Sequence, residues 1–357
     1  MILPTGHKNY NRRDLRNLLE QGNDYVLKVE NLNTMFKIGK KLVYAVNDVS
    51  FNLRRGSVLG IVGESGCGKS VTAHSIIQLL PKYGHIAGGK ITYCPSPGKE
   101  LVLTNYKRNS RQIRSLCGKD ISMIFQDPLS SLDPVYTIGA QIAETLHNHE
   151  KISRYDAKIR IINLLEELGI PSPEERFHAY PHEFSGGMKQ RVMIAAAMVC
   201  NPAILIADEP TTALDVTIQA QILSLMKKLR TSHNTSMIMI THNMGIVAEI
   251  CDEVAVMYMG RFVEFGTLEQ VFNRPKHPYT RALLRSVPVL GMSKDSDLET
   301  IQGVTPDAAI RFEGCAFAER CANAHAGCTK EQPFSAEVEP GNFVRCFLYA
   351  DSKRKGA

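Results

Sequence analysis

Hydrophobic and polar positions divide the chain into three regimes. Residues 1–24 (MILPTGHKNYNRRDLRNLLEQGND) are polar, with only Leu15, Leu18 and Leu19 at helical spacing, and are expected to form an appendage. Across 25–287, short apolar runs of strand character alternate with stretches of helical periodicity, the pattern of an α/β domain on a mostly parallel sheet. Three of the apolar runs end in polar clusters. Residues 57–62 (SVLGIV) lead into a Gly-rich loop, 203–207 (AILIA) into Asp208-Glu209, and 237–240 (MIMI) into Thr241-His242. Open α/β sheets gather ligands at the carboxyl ends of their strands, so these clusters are expected to share one site. The mainly helical text of about 130–199 predicts an inserted helical subdomain. Residues 288–310 mix Pro, Gly, Ser and charges and read as a linker, beyond which a cysteine-bearing segment reads as a separate module.

Composition narrows the class. A chain of 357 residues accommodates two or three domains. Its longest uninterrupted apolar run, 192–200, has nine residues, against about 20 for a bilayer-spanning helix, so the chain is expected to cross no membrane by itself. The first residues lack the apolar core of a secretory signal, which points to a reducing compartment. A net charge of +6 is too mild to predict a nucleic-acid partner. The nine cysteines then need a reason other than disulfides.

Gly63, Glu64, Ser65, Gly66, Cys67, Gly68, Lys69 and Ser70 match Gly-x-x-x-x-Gly-Lys-Ser between a strand and a helix expected over 70–80. Glycines let backbone N–H groups converge on phosphate oxygens, Lys69 supplies a point charge, and the Ser70 hydroxyl is suited to Mg²⁺. The helix N-terminus adds about half a positive charge. Cys67 reads as a tolerated variable position whose accessible thiol, once alkylated, would block nucleotide binding. At the second strand end, Asp208 is suited to the Mg²⁺ shell and Glu209 to accepting a proton from the attacking water. Phosphoryl transfer asks mainly for positioning and charge neutralisation, which these groups supply. A third anion-binding signal, Ser185-Gly186-Gly187, opens a helix that includes Gln190.

In combination, these residues resemble the nucleotide-binding subunit of an ATP-binding cassette (ABC) transporter over about 25–287. The order is the phosphate loop at 63–70, a Gln-loop at Gln126 in MIFQDPLSSLDP, the signature SGGMKQ at 185–190, Asp208-Glu209, a loop ending in Asp215, and a switch histidine, His242, in ITHNMG. The resemblance implies a P-loop NTPase core of RecA type with an antiparallel β subdomain and the helical insertion. It implies ATP and Mg²⁺ as cofactors, with Ser70, Gln126 and Asp208 around the metal. Glu209 would be the catalytic base, with His242 on the γ-phosphate and Gln126 as sensor of metal and water. It also implies head-to-tail cassette pairs in which Ser185, Gly186, Gly187 and Gln190 face the nucleotide of the opposite subunit. That arrangement accounts for two anion sites 116 residues apart, from Lys69 to Ser185. The family's adenine-stacking aromatic aligns better with Phe36 than with Tyr44.

Cys315, Cys321, Cys328 and Cys346 stand in a short segment of low apolar content, which suits a metal-stapled module. All-thiolate sites suit zinc or iron–sulfur clusters. Together with HPYTRALLRSVP at 277–288, the segment 288–357 resembles the C-terminal extension of oligopeptide and dipeptide importer ATPases, some of which carry a [4Fe–4S] cluster; zinc is the alternative. Cys94, Cys117, Cys200 and Cys251 read as small buried hydrophobes. The implied partners are a second ATPase subunit, expected to be a paralogue, two transmembrane permease subunits and an extracytoplasmic solute-binding protein. The implied location is peripheral, on the cytoplasmic face of the membrane. The rival reading is a soluble cassette ATPase acting on DNA or ribosomes, but the chain shows neither a long coiled-coil insertion nor a second cassette.

Overall fold

The computed structural model describes residues 24–127, 131–212, 214–286, 301, 303–307 and 309–350, so the 1–24 appendage, apart from Asp24, and most of the linker lie outside the described residues. The strands are β1 (Tyr25–Ile38), β2 (Lys41–Arg54), β3 (Val58–Val62), β4 (Gly84–Ser96), β5 (Lys99–Val102), β6 (Ile121–Ile124), β7 (Ile204–Asp208), β8 (Ser236–Thr241), β9 (Glu253–Tyr258), β10 (Arg261–Thr267), β11 (Ser335–Glu339) and β12 (Asn342–Arg345). Among the described residues they form a 4-stranded antiparallel sheet, β2-β1-β4-β5, and an 8-stranded sheet, β11-β12-β10-β9-β3-β8-β7-β6.

The second sheet is parallel from β9 through β3, β8 and β7 to β6. Every residue of β3, β7 and β8 is buried, as parallel strands covered on both faces must be. Alternation along them divides the core into two. Val58 and Val62 face a cluster shared with Met237, Met239 and the helical subdomain, whereas Leu59 and Ile61 face one shared with Ile238, Ile240 and the antiparallel sheet. The strands' carboxyl ends therefore project between two packed layers.

Helical periodicity in the insertion is realised as Ile138–His149, Arg154–Glu167 and Gly186–Met198. Ile138, Ile142 and Leu146 lie one turn apart and are buried, each stabilising the subdomain by about 1.5–3 kcal/mol. Thr137 and Ser153 cap the first two helices by accepting from Ala140 N–H and Asp156 N–H. The helix after the phosphate loop runs over Lys69–Ile76, shorter than expected. No helix among the described residues is long and apolar enough to cross a membrane.

One expectation is corrected. The cysteine-bearing extension is not a separate module, because β12 pairs with β10 of the cassette at Glu264↔Val344 and Phe265↔Phe343 and extends its sheet. Phe317 of the extension sits in an aromatic cluster with Tyr258 and Tyr279, at 5.3 Å between ring centroids in each case. Lys276 and Arg274 hold Glu339 at 2.8 and 3.0 Å, and Arg345 reaches Asp48 at 3.0 Å. An open β10 edge would expose a row of unpaired backbone groups, and the extension covers it.

Candidate active site

β3, β6, β7 and β8 deliver the site from four neighbouring strand ends. Beyond β3 the phosphate loop turns through residues that only glycine tolerates. Gly63 (φ 154°) and Gly68 (φ 107°) have positive φ, and a Cβ at either would collide with the carbonyl oxygen of Met257 or Ala45. Lys69 Nζ donates to the Gly63 and Glu64 carbonyls at 2.8 and 2.9 Å, which holds the ammonium over the loop.

Gln126, Glu209 and His242 lie together beside the phosphate loop. Glu209 follows β7 in a left-handed conformation (φ 46°), a strained backbone of the kind that sites retain when the surroundings enforce it. Its carboxylate accepts from Gln126 Nε2 at 3.2 Å and Thr212 Oγ1 at 3.0 Å, and Oε1 shares a hydrogen bond with His242 Nδ1 at 3.0 Å. Burial alone would push the Glu209 carboxyl up, but the His242 and Thr212 hydrogen bonds hold it below the usual carboxylate range. Next to it, burial pushes the Asp208 carboxyl up, although the Ser70 hydroxyl donates to Oδ1 at 3.1 Å. Paired oxygens from Ser70 and Asp208 beside the loop form a donor set that suits a hard cation such as Mg²⁺.

Ser185 caps the helix Gly186–Met198 by accepting from Met188 N–H at 3.3 Å, and Ser185 and Gly186 are exposed. Asp215 is exposed and caps Val216–His233 through Ile218 N–H at 2.9 Å, and Ile218 packs over Gly187. The signature and the Asp215 loop thus share one open surface. Gln190 is not part of it. The residue is 2% exposed and its Nε2 finds no protein partner, because its face of the helix points into the core.

Three further placements differ from expectation. Cys67 is buried, with its Sγ filling the space against Gly63, and burial pushes the thiol up; an accessible, readily alkylated cysteine is overturned. Phe36 packs on Tyr83, with ring centroids 5.9 Å apart, and lies over Gly84. Tyr44, rather than Phe36, lines the cavity that reaches Gly66 of the phosphate loop. Glu64 turns its carboxylate to the extension. Arg320 grips it with two bonds of 2.7 and 2.9 Å, Thr305 Oγ1 donates at 2.9 Å, and the Glu64 N–H donates to Tyr279 Oη at 3.0 Å. Burial would raise that carboxyl, yet these partners hold it below the usual range. Thr212, Tyr279 and Arg320 carried no motif signal, although Tyr279 lies in the HPY segment.

Cys315, Cys321, Cys328 and Cys346 all border one small cavity, with His277, Phe317 and Phe347 also on its walls. Burial pushes the Cys315 thiol up to about 11 and also raises Cys321 and Cys346. Among the described residues no three His, Cys, Asp or Glu side chains form a group that could hold a single metal ion. Cys94, Cys200 and Cys251 are buried and Cys117 is half-buried.

Comparison with known proteins agrees with this geometry. The ABC transporter family profile matches residues 46–212, and the oligopeptide/dipeptide transporter C-terminal region matches 263–328. The chain is 46% identical over 324 residues to the dipeptide transport ATP-binding protein DppD of Bacillus subtilis, covering 90% of this chain and 94% of the relative. It is 48% identical over 324 residues to the oligopeptide transport ATP-binding protein OppD of the same organism, covering 90% and 88%. Its fold is similar to that of cbiO1 from Clostridium perfringens, with a TM-score of 0.57 at 29% identity over 71% of this chain and 92% of that one. It is also similar to the cassette MJ0796 in a dimeric post-hydrolysis state with ADP and Pi, with a TM-score of 0.59 at 24% identity over 68% and 98%. The chain is an ATP-hydrolysing cassette and belongs to the ABC transporter family of ATP-binding subunits, in the branch that carries the oligopeptide/dipeptide C-terminal region.

Proposed function

We propose that this subunit hydrolyses ATP to drive uptake of oligopeptides, dipeptides or a related solute, acting peripherally on the cytoplasmic face of the membrane with two permease subunits, a solute-binding protein and a second, paralogous cassette. The observation that carries the hydrolytic part is the convergence of Gln126, Thr212 and His242 on the Glu209 carboxylate. Lys69 exchanges its two carbonyl contacts for the terminal phosphates. Ser70 and Asp208, with Gln126 nearby on the same face, would hold Mg²⁺, which supplies charge neutralisation on the phosphate oxygens. Glu209, kept ionised, takes the proton of the attacking water, while His242 orients that carboxylate and reaches the γ-phosphate. Ser185, Gly186 and Gly187 present an open helix N-terminus to the nucleotide of the second cassette, with Asp215 beside them. The exposure of Ser185 and Gly186 leaves that helix end accessible to such a partner.

The solute class rests on likeness to the DppD and OppD proteins across nearly the whole chain. It is tested with the subunit co-expressed with its permease and partner cassette in membrane vesicles. Binding protein loaded with short peptides is expected to raise ATP turnover several-fold. Stimulation by ribosomes or DNA instead, with none by peptides, would establish the soluble alternative.

The extension's cavity is proposed to hold a [4Fe–4S] cluster on Cys315, Cys321, Cys328 and Cys346. Four thiols bordering one buried space match the donor set. Protein purified without oxygen is expected to contain about four iron atoms per chain with matching sulfide. An iron-free preparation defeats the assignment.

A further inference from the structure

The extension reaches the nucleotide loop at a second place, distinct from the Arg320–Glu64 pair. A cavity of about 810 Å³ opens between Tyr44, Asn47 and Gly66 of the cassette and Arg311, Phe312 and Gln332 of the extension. That size suits a small-molecule ligand. The cavity touches the phosphate loop at Gly66, while Gln126, Asp208, Glu209 and His242 are not on its walls. It therefore lies on the side of the loop away from the hydrolytic carboxylates. A nucleotide whose terminal phosphate faces Glu209 extends its nucleoside the other way.

Two arginines stand on the wall. Arg261 lies 3.9 Å from the Asp48 carboxylate, whereas the Arg311 guanidinium sits 5.4 Å from the centroid of the Tyr44 ring. Arg311 is exposed, so its other face is open to a ligand. We infer that Arg311 and Tyr44, stacked on each other, clamp the nucleoside end of ATP against the rest of the cavity wall, so that the C-terminal extension completes the nucleotide site of its own chain. A guanidinium and a phenol ring both offer flat faces on which a purine stacks. Asn47 and Gln332 add hydrogen-bonding groups for the base or ribose. The wall is held in advance of binding, because Thr305 and Arg320 of the extension are both bonded to Glu64 of the same loop.

The inference rests on ATP being the ligand, and the test separates the two. Full-length wild type, Arg311→Ala, Arg311→Lys and Tyr44→Ala are titrated calorimetrically with MgATP, MgADP and magnesium tripolyphosphate. Arg311→Ala is expected to raise the Kd for ATP and ADP alike by about three- to thirtyfold, with no change for tripolyphosphate. Arg311→Lys, which keeps the charge and loses the planar group, recovers only part of the loss. Tyr44→Ala weakens both nucleotides, and the double variant is weakened by less than the product of the two. Nucleotide affinities within twofold of wild type in Arg311→Ala overturn the clamp, as does an equal loss for tripolyphosphate, which would assign Arg311 to the phosphates. Failure of the wild type itself to bind MgATP would instead remove the ATPase reading.

Discussion

Glu209→Gln is expected to lower ATP turnover by a factor of about 10² to 10⁴ while leaving ATP affinity within about threefold of wild type. The carboxylate is the convergence point of three side chains, at 3.0 to 3.2 Å, and each bond favours its ionised form. An amide at this place keeps the shape and removes the proton acceptor. With its oxygen at the Oε2 position it still accepts from Thr212 and Gln126, and its NH2 faces His242 Nδ1. Because the Glu209 carboxyl lies below the usual range, it stays ionised through neutral pH, and wild-type turnover should fall only in acid below the ordinary carboxylate pKa of 4.5. Binding without hydrolysis should accumulate ATP-bound pairs of cassettes. Steady-state phosphate release and size-exclusion chromatography with MgATP check both parts. Turnover within threefold of wild type would take Glu209 out of the proton-transfer role.

Much of this site could be read before any coordinates because strand ends and glycine loops are local features. SVLGIV, AILIA and MIMI are continuous apolar runs, so both faces of each strand had to be covered and their polar followers had to emerge at one edge. Asp208, Glu209 and His242 lie at that edge, whereas Gln126, which follows a different strand, was named only through the family resemblance. The misreadings share a different cause. Cys67 sits in a nucleotide loop, yet loop membership does not say which way a side chain points, and here it packs under the loop against Gly63. Gln190 lies in a binding motif, but five residues past the Ser185 cap its face of the helix has turned inward. Phe36 and Tyr44 flank one hairpin, and which ring meets the cavity depends on β1–β2 register and on how the extension seats.

The seating of the extension is non-local for the same reason. Nothing local in NFVR announces a strand that caps β10, since the pairing depends on an edge formed 77 residues earlier, where Phe265 receives Asn342 Nδ2 at 3.1 Å. A linker of Pro, Gly and Ser separates the segments in sequence without separating them in space. Its ordering role passes through side chains with no motif: Arg320 directly precedes Cys321 and holds Glu64 of the phosphate loop.

That contact predicts a second large effect. Arg320→Ala should destabilise the protein by about 2–4 kcal/mol at pH 7. The Arg320 side chain is 6% exposed and the Glu64 side chain 22%, and the two bonds are bidentate, so truncation strands a carboxylate in a place from which water is largely excluded. The sign of its pH dependence follows from the lowered Glu64 pKa. The paired carboxylate contributes fully above the ordinary value of 4.5, and the contribution is lost as pH falls through the lower folded value. The gap between wild type and variant in urea denaturation should therefore be widest near neutrality and narrow in strong acid. Glu64→Gln with Arg320→Ala should cost less than the two single changes combined, because the second substitution removes the charge that the first leaves unpaired. A gap below about 0.5 kcal/mol at pH 7, or strict additivity, would show that the extension is held by its β12 strand and aromatic cluster without help from the phosphate loop.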